Sequence, residues 1–150
     1  MTNLTAGQAA PLFIAQDQDG NTVSLKDFKG KKLAVYFYPK DDTPACTAQA
    51  CNLRDNYQIL QQAGYEIIGI SPDSVKRHKK FETKYDLPFR LVADEDHRIC
   101  EAYGVWGPKK FMGREYIGVI RTTFLINAKG KIERIIDAIN TKEHTQDILQ

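Results

Sequence analysis

A short apolar run, residues 33–38 (LAVYFY), constrains the fold of this chain more than any other stretch. The run is long enough for a buried strand and shorter than a typical helix. Pro39 and two aspartates follow it, and Thr43 and Pro44 then open a new segment. Because proline at the first helical position with threonine before it is typical of a helix start, the sequence predicts a buried strand leading into a helix.

The predicted helix start places a thiol in a chemically distinctive position. If Thr43 is the N-cap, Cys46 is the third helical residue and faces unpaired backbone N–H groups at the positive end of the helix dipole. Both features favour the thiolate, which is the reactive form of cysteine. A thiol with a pKa of about 8.5 is ionised to roughly 3% at pH 7, whereas a pKa near 6 gives about 90%. The pattern favours a nucleophile over a merely buried cysteine, which would leave the Thr-Pro start unexplained.

The bulk properties limit the classes of protein to which the chain can belong. The 150 residues suit a single domain, residues 1–150, with a sizeable core. A net charge of +2 is too small to indicate a nucleic-acid or membrane partner. We see neither a secretory signal at the start nor an apolar run near the ~20 residues of a membrane span. Three cysteines do not suggest a secreted disulfide framework, so we expect a cytoplasmic protein with catalytic, redox or metal-binding thiols.

Apolar periodicity and turn residues predict alternating strands and helices. The predicted strands are 11–15, 21–25, 33–38, 66–70, 89–93, 116–126 and 131–137. The predicted helices are 44–62, 74–85, 94–103 and 141–150. We interpret residues 104–113 as a loop that holds the only tryptophan, and the basic run 76–80 as the charged outer face of a helix.

These elements predict an α/β fold class with a central mixed β-sheet flanked by helices on both faces. The first two strands form an N-terminal β-hairpin, and residues 33–70 form a crossover unit with a parallel strand pair. The last two strands form an antiparallel hairpin. Cys46 then lies just past the carboxyl end of a central strand, where sheets of this type usually bind ligands.

Two further cysteines raise the question of a redox partner for Cys46. Cys51 follows after four intervening residues, whereas the motif of dithiol exchange enzymes has two. Five residues advance about 7.5 Å along a helix, beyond the ~7 Å separation of alpha carbons that a disulfide can bridge without backbone movement. If both cysteines lie in a formed helix and still pair, its first turns must unwind. Cys51 is the candidate that could condense with a sulfenic acid on Cys46, and we interpret Cys100 as a core residue.

A reactive thiolate also needs a nearby cation, and Arg121 is the candidate. It opens the segment RTTFLI at the start of a late strand. The acids Asp41 and Asp42 oppose thiolate formation, and a guanidinium would offset them and could donate a hydrogen bond to a peroxide oxygen. An arginine that lies on the surface of the strand without contacting Cys46 is the alternative.

Two other classes of function stay open at this point. One is a structural zinc site with four candidate ligands, namely Cys46, Cys51, His97 and Cys100. The other is a non-catalytic interaction domain, which would leave Thr43, Cys46 and Arg121 without a joint explanation.

The segment Pro39–Cys46 resembles the peroxiredoxin pattern of Pro, three residues, Thr, two residues and Cys. The resemblance is to the Q-type branch, also called bacterioferritin comigratory protein, and it covers nearly the whole chain. The segments that carry it are CTAQAC (46–51), GISPD (69–73), DEDH (94–97), YGVWG (103–107) and RTTFLI (121–126). It implies a single thioredoxin-like domain that reduces hydrogen peroxide and organic hydroperoxides in antioxidant defence.

The resemblance also implies a role for each site residue. Cys46 would be the peroxidatic nucleophile, and Cys51 the resolving cysteine that forms an intramolecular disulfide with it. The Thr43 hydroxyl would bond the sulfur and the peroxide, Pro39 would shield the pocket, and Arg121 would hold the thiolate and polarise the O–O bond. Thioredoxin or a similar dithiol would reduce the disulfide, and no metal or organic cofactor is implied. Many members of the branch are monomers, and we expect a monomer here.

Overall fold

The computed structural model describes residues 2–150. Within them, nine strands form a seven-stranded sheet and a separate two-stranded hairpin. The strands are β1 (Ile14–Gln16), β2 (Thr22–Ser24), β3 (Lys32–Phe37), β4 (Tyr65–Ser71), β5 (Arg90–Ala93), β6 (Trp106–Phe111), β7 (Arg114–Val119), β8 (Thr122–Ile126) and β9 (Ile132–Ile136). The helices are α1 (Pro44–Asp55), α2 (Tyr57–Gln62), α3 (Val75–Tyr85), α4 (Arg98–Ala102) and α5 (His144–Leu149). One 3-10 helix spans Leu25–Phe28.

The large sheet is mixed, as the sequence predicts. Its strand order is β2-β1-β5-β4-β3-β8-β9. Strand β4 runs parallel to its neighbours β3 and β5, whereas β8 runs antiparallel to β3 and β9. The crossover unit from β3 through α1 and α2 to β4 is confirmed, and so is the N-terminal hairpin of β1 and β2. The carboxyl end of β3, where α1 begins, therefore lies inside the sheet rather than at its edge.

Two buried clusters cover the two faces of this sheet. Side chains alternate along β3, so that Val35 and Phe37 belong to one cluster and Ala34 and Tyr36 to the other. The first cluster includes Cys100 of α4, and the second includes Cys46 of α1 together with residues of α2, α3 and α5. Cys46 and Cys100 thus lie on opposite faces of the sheet, and the prediction of helices on both faces is confirmed.

The predicted loop 104–113 and the predicted long strand 116–126 are both wrong. Strands β6 and β7 pair along their whole length as a hairpin outside the main sheet. Met112 and Gly113 close it with φ angles of 52° and 79°, and two left-handed residues match the twist of a tight hairpin. The Ile120 N–H donates to the Val105 carbonyl at 2.7 Å, which ends the long strand. Arg121 consequently lies between β7 and β8 rather than on a continuous strand.

Three predicted helices are shorter in the structure, and local hydrogen bonds explain each change. Asn56 divides residues 44–62 into α1 and α2, and its side-chain amide donates to the Asn52 carbonyl at 2.8 Å, a side-chain bond that competes with the helical pattern. Asp94 accepts from the backbone of Ile99 and Cys100, so that helix α4 begins only at Arg98. Residues 140–143 form a turn before α5.

Helix α3 agrees with its predicted bounds and differs in one side chain. Ser74 caps it by accepting from the Arg77 N–H at 3.1 Å. Four members of the basic run are exposed, as expected of a charged outer face, but His78 is completely buried. The interpretation of His78 as an outer-face residue is therefore wrong, because it packs inward beside Phe81.

None of the helices in residues 2–150 has both the length and the apolar character that crossing a bilayer requires.

Candidate active site

The turn from β3 into α1 places Cys46 where the sequence predicts it. Thr43 is the N-cap with extended φ and ψ of −95° and 157°, Pro44 is the first helical residue, and Cys46 is the third. The Cys46 side chain is 1% exposed. The Thr43 hydroxyl makes no cap hydrogen bond and donates instead to the Lys40 carbonyl at 2.8 Å. The first-turn N–H groups of α1 therefore have no side-chain partner from Thr43, and they face the region of the sulfur.

Arg121 reaches the sulfur from the junction of β7 and β8. Its Nη2 donates to Cys46 Sγ at 3.3 Å, and its Nη1 donates to Gln49 Oε1. Gln49 is fully buried and lies three residues after Cys46 on α1, so the two side chains share one face of the helix. The planar guanidinium fork thus bonds two residues of the same helix, which fixes both its distance and its orientation. The alternative of an unattached surface arginine is wrong.

Sequence reasoning missed Gln49, although its spacing from Cys46 was available as a signal. Its Nε2 atom is buried and has no hydrogen-bond partner within residues 2–150. The Tyr36 hydroxyl is likewise buried without a partner there. Burial, and then the negative charges of Asp41 and Cys46, raise the pKa of Tyr36 well above its ordinary value. The Tyr36 phenol therefore stays protonated, and its O–H group can donate a hydrogen bond.

Tyr36 occupies its position because the neighbouring strand carries a glycine. Gly69 of β4 pairs with Tyr36 of β3. A Cβ atom at residue 69 would lie 2.8 Å from Cζ of the Tyr36 ring. Any larger residue at position 69 would therefore displace the ring on the face of the sheet that carries Cys46.

Lys109 is a second cation near Cys46 that sequence reasoning missed, because β6 was predicted as a loop. The side chain is half-buried. Burial, and then the charge of Arg121, lower the pKa of Lys109, while the charge of Cys46 opposes this change. The hairpin β6–β7 thus brings the Lys109 ammonium close enough for its charge to interact with Arg121 and Cys46.

Cys51 lies in the same helix as Cys46, and both thiols are free. Cys51 is partly exposed, whereas Cys46 is buried. Since α1 is helical from Pro44 to Asp55, the two residues are about 7.5 Å apart along the helix axis. A disulfide between them requires the first turns of α1 to unwind.

Pro39 lies half-buried two residues after the end of β3, at the start of the loop that leads to Thr43. This loop places Pro39, Thr43 and Cys46 at the same end of β3.

The structure does not bring the four candidate zinc ligands together. Cys100 lies on the opposite face of the sheet from Cys46, and His97 stacks on Trp106 with ring centroids 4.0 Å apart. In residues 2–150, the one group of at least three His, Cys, Asp or Glu side chains with metal-ligand spacing is Asp41, Asp73 and His78. Hydrogen bonds within the protein already engage the carboxylates and the imidazole of this group. The zinc hypothesis for Cys46, Cys51, His97 and Cys100 is therefore wrong.

Comparisons with known proteins agree with this site. Residues 6–135 match the model of the AhpC/TSA family. Peroxiredoxin Bcp of Escherichia coli K12 is 50% identical over 149 residues, which cover 99% of this chain and 96% of that protein. Peroxiredoxin Bcp of Bacillus subtilis 168 is 44% identical over 144 residues, covering 96% of this chain and 92% of that protein.

A solved structure of the bacterioferritin comigratory protein of Xanthomonas campestris superposes with a TM-score of 0.88 at 30% identity, covering 97% of this chain and 95% of that one. The predicted thioredoxin-like fold is thereby confirmed. The chain therefore belongs to the AhpC/TSA family and is a peroxiredoxin of the Bcp type, a thiol-dependent peroxidase.

Proposed function

We propose that Cys46 is the peroxidatic cysteine and that Arg121 keeps its sulfur anionic and orients the peroxide. The observation that carries this proposal is the 3.3 Å contact between Arg121 Nη2 and Cys46 Sγ at the third position of α1. A guanidinium and a helix N-terminus both favour the negative form of a thiol. The same guanidinium can donate to an oxygen of the O–O bond.

In the first step the Cys46 thiolate attacks one oxygen of the peroxide ROOH. A sulfur–oxygen bond forms, the O–O bond breaks, and the alkoxide or hydroxide leaves and takes up a proton. The sulfur is oxidised to sulfenic acid by two electrons, and the peroxide is reduced to alcohol or water. The buried and unpartnered amide of Gln49 is available as a donor near the fork of Arg121.

Thr43 and Pro39 shape the entrance in this proposal. The Thr43 hydroxyl donates to the Lys40 carbonyl, so that its oxygen is free to accept a hydrogen bond from the peroxide proton. Pro39 offers no backbone N–H, and its half-buried ring shields the pocket from water.

In the second step the Cys51 thiolate attacks the sulfenic sulfur of Cys46, the disulfide forms, and hydroxide leaves as water. The unwinding of α1 that this needs has an identifiable cost next to Cys51. Asn52 accepts from the Thr145 N–H at 2.8 Å and donates to the Lys142 carbonyl at 2.9 Å, which ties α1 to the α5 region. Movement of α1 around Cys51 would strain or break these bonds.

Thioredoxin or a similar dithiol then reduces the disulfide in two thiol exchanges. Substrates are hydrogen peroxide and organic hydroperoxides, and the described alkyl peroxide reduction by the related Xanthomonas campestris protein supports the organic class. We further propose that residues 1–150 form one domain that acts as a cytoplasmic monomer in antioxidant defence.

The test compares Cys46→Ser, Cys51→Ser and the unmodified protein. Cys46→Ser should abolish peroxide consumption. Cys51→Ser should still consume one equivalent of peroxide, accumulate a trappable sulfenic acid at Cys46, and lose turnover with thioredoxin. Full activity of Cys46→Ser would refute the proposed role of Cys46, and full thioredoxin-dependent turnover of Cys51→Ser would refute the role of Cys51. Peptide mapping after one equivalent of peroxide identifies which sulfurs are linked.

A further inference from the structure

Asp41 is a buried carboxylate in the loop that carries the peroxide-binding residues. It is 3% exposed and lies between Pro39 and Thr43. Its Oδ1 accepts from the Tyr38 hydroxyl at 2.5 Å, and its Oδ2 lies 2.6 Å from Nδ1 of His78. Its backbone N–H donates to Asp73 at 2.8 Å. Backbone and side chain thus bind this one loop residue to Tyr38 just after β3, to the segment after β4 and to α3.

The protonation of His78 follows from what its two ring nitrogens face. Nε2 is 3.0 Å from the Val92 carbonyl oxygen, which can only accept, so Nε2 carries a hydrogen. Nδ1 faces Asp41 Oδ2 at 2.6 Å, and two lone pairs at that distance would repel. One proton therefore lies between them, on either atom. In both cases the Asp41–His78 pair has no net charge.

None of the other groups around this pair neutralises the carboxylate of Asp41. Asp73 is paired with Arg77 at 2.9 Å and also accepts from the Ser71 hydroxyl. Burial raises the pKa of Tyr38 well above its ordinary value, so the phenol is neutral. His78 is therefore the group that shares a proton with Asp41 and keeps the pair neutral.

The loop has a second connection to α3 at the next residue. Asp42 adopts a left-handed φ of 60°, which a residue with a side chain rarely adopts. Lys84 and Tyr85, near the end of α3, donate to its two carboxylate oxygens at 2.8 and 2.9 Å. Two consecutive loop residues are thus attached to one helix, immediately before Thr43 begins α1.

We infer that His78 is a positioning residue for the peroxide reaction: through Asp41 it fixes the loop 39–43 and cancels a buried carboxylate charge that would oppose the anionic sulfur of Cys46. The inference rests on the proposed role of Cys46. Asp41 is connected to the site through the chain, because it lies two residues before Thr43, the N-cap of the helix α1 that carries Cys46. His78 itself touches neither the sulfur nor the peroxide in this scheme.

The test uses His78→Leu, Asp41→Asn and the double variant Asp41→Asn/His78→Leu. The two readouts are the second-order rate with hydrogen peroxide and the pH of half-maximal alkylation of Cys46. His78→Leu leaves the carboxylate uncompensated, so the alkylation midpoint should rise by about one pH unit. It also removes the contact that holds the loop 39–43 to α3 through Asp41, and the two effects together should lower the rate at pH 7 about tenfold. Asp41→Asn can still accept from Tyr38 and can donate to Nδ1, so its rate should stay within about threefold of the unmodified protein.

The double variant separates charge from packing. With no carboxylate present, its alkylation midpoint should return to that of the unmodified protein although the histidine is missing. An unchanged rate and midpoint in His78→Leu would overturn the inference, and so would a midpoint in the double variant as high as in His78→Leu. If His78→Leu does not fold, Asp41→Asn decides alone, since a loss of more than tenfold contradicts a neutral pair. The proposed role of Cys46 is tested separately by Cys46→Ser and survives any of these results.

Discussion

Cys46 and Cys100 share more features than the sequence suggests, and they differ in what surrounds the sulfur. Each is the third residue of a helix, α1 or α4, and their side chains are 1% and 0% exposed. At Cys100 the carboxylate of Asp94 accepts from the N–H groups of Ile99 and Cys100 at 3.0 and 2.8 Å. At Cys46 no side chain caps the helix, and Arg121 lies 3.3 Å from the sulfur.

The difference shows that a helix start alone does not create a nucleophile. Burial, and then the charge and hydrogen bond of Asp94, raise the pKa of the Cys100 thiol far above its ordinary value. The helix N-terminus near Cys100 already holds an anion, so it offers nothing to a thiolate. The N-terminus of α1 has no carboxylate bonded to it in this way, and a guanidinium completes the site.

Removing the guanidinium of Arg121 should reduce the reactivity of Cys46 more than any other change described below. In Arg121→Ala the sulfur loses a charge-assisted hydrogen bond worth about 1.5–3 kcal/mol, so the rate with hydrogen peroxide should fall roughly 10- to 150-fold. Stopped-flow measurement of Cys46 oxidation gives this rate. Arg121→Lys is the matched control. Its rate should lie between those of Arg121→Ala and the unmodified protein, because lysine keeps the charge but cannot bond both Cys46 and Gln49. A rate for Arg121→Ala within threefold of the unmodified protein would contradict the role of the guanidinium.

Acid should destabilise the Cys46 face of the sheet through His144. This side chain is fully buried, with Nε2 at 2.8 Å from the Thr123 hydroxyl and Nδ1 at 3.1 Å from Asp147. Burial lowers the pKa of His144, against the opposing effect of Asp147. Below about pH 6.5 the unfolded chain takes up a proton that the folded chain does not, so stability falls with pH until the lowered folded pKa is reached.

His144→Gln should remove this contribution, which amounts to at most about 1.4 kcal/mol per pH unit. Urea unfolding at pH 7 and pH 5 measures it, and His97→Gln, a partly exposed histidine, is the control that should keep the full acid dependence. If His144→Gln and the unmodified protein lose the same free energy of unfolding between pH 7 and pH 5, another group is responsible for the acid dependence.

Lys109 should have a smaller effect than Arg121, because solvent screens a half-buried ammonium. Lys109→Met should slow the reaction with hydrogen peroxide by about two- to fivefold, and the loss should shrink at high salt. Lys110→Met, the next residue on the same strand and exposed, should leave the rate unchanged. If both variants lose the same amount, the effect reflects overall charge and not the position of Lys109.

The smallest effect is expected at the other cysteine. Because the Cys100 thiol is buried beside Asp94, Cys100→Ala should react with peroxide and turn over with thioredoxin within about twofold of the unmodified protein. A loss above tenfold in turnover, measured beside Cys51→Ser, would assign Cys100 a redox role and refute its interpretation as a core residue.

The parts of the fold that the sequence predicts are those with local signals. The apolar run 33–38 and the Thr43-Pro44 start specify β3 and α1 without help from the rest of the chain, and they also place Cys46. The hairpin β6–β7 was missed because its turn, Met112-Gly113, lacks the usual Asn-Gly or Asp-Gly signal. It lies outside the main sheet, so its strands do not alternate as a strand over a core would.

The site was predictable only in part for the same reason. The sequence singled out Arg121, but the fork that reaches Cys46 and Gln49 depends on how β8 lies beside β3. His78 stands in a run of basic residues and has no local sign of burial. Its partner Asp41 is 37 residues away, so only the packing of α3 against the loop reveals the pair.

If the surroundings of Cys46, and not its burial, favour the thiolate, the two buried cysteines should differ in how readily they are alkylated. Alkylation of the reduced protein by iodoacetamide, followed for each cysteine by mass spectrometry from pH 5 to pH 10, tests it directly. We expect Cys46 to be alkylated much faster than Cys100 at every pH in this range, because burial and Asp94 raise the pKa of the Cys100 thiol. Equal alkylation rates for the two cysteines across this range would show that the surroundings of Cys46 do not activate its sulfur.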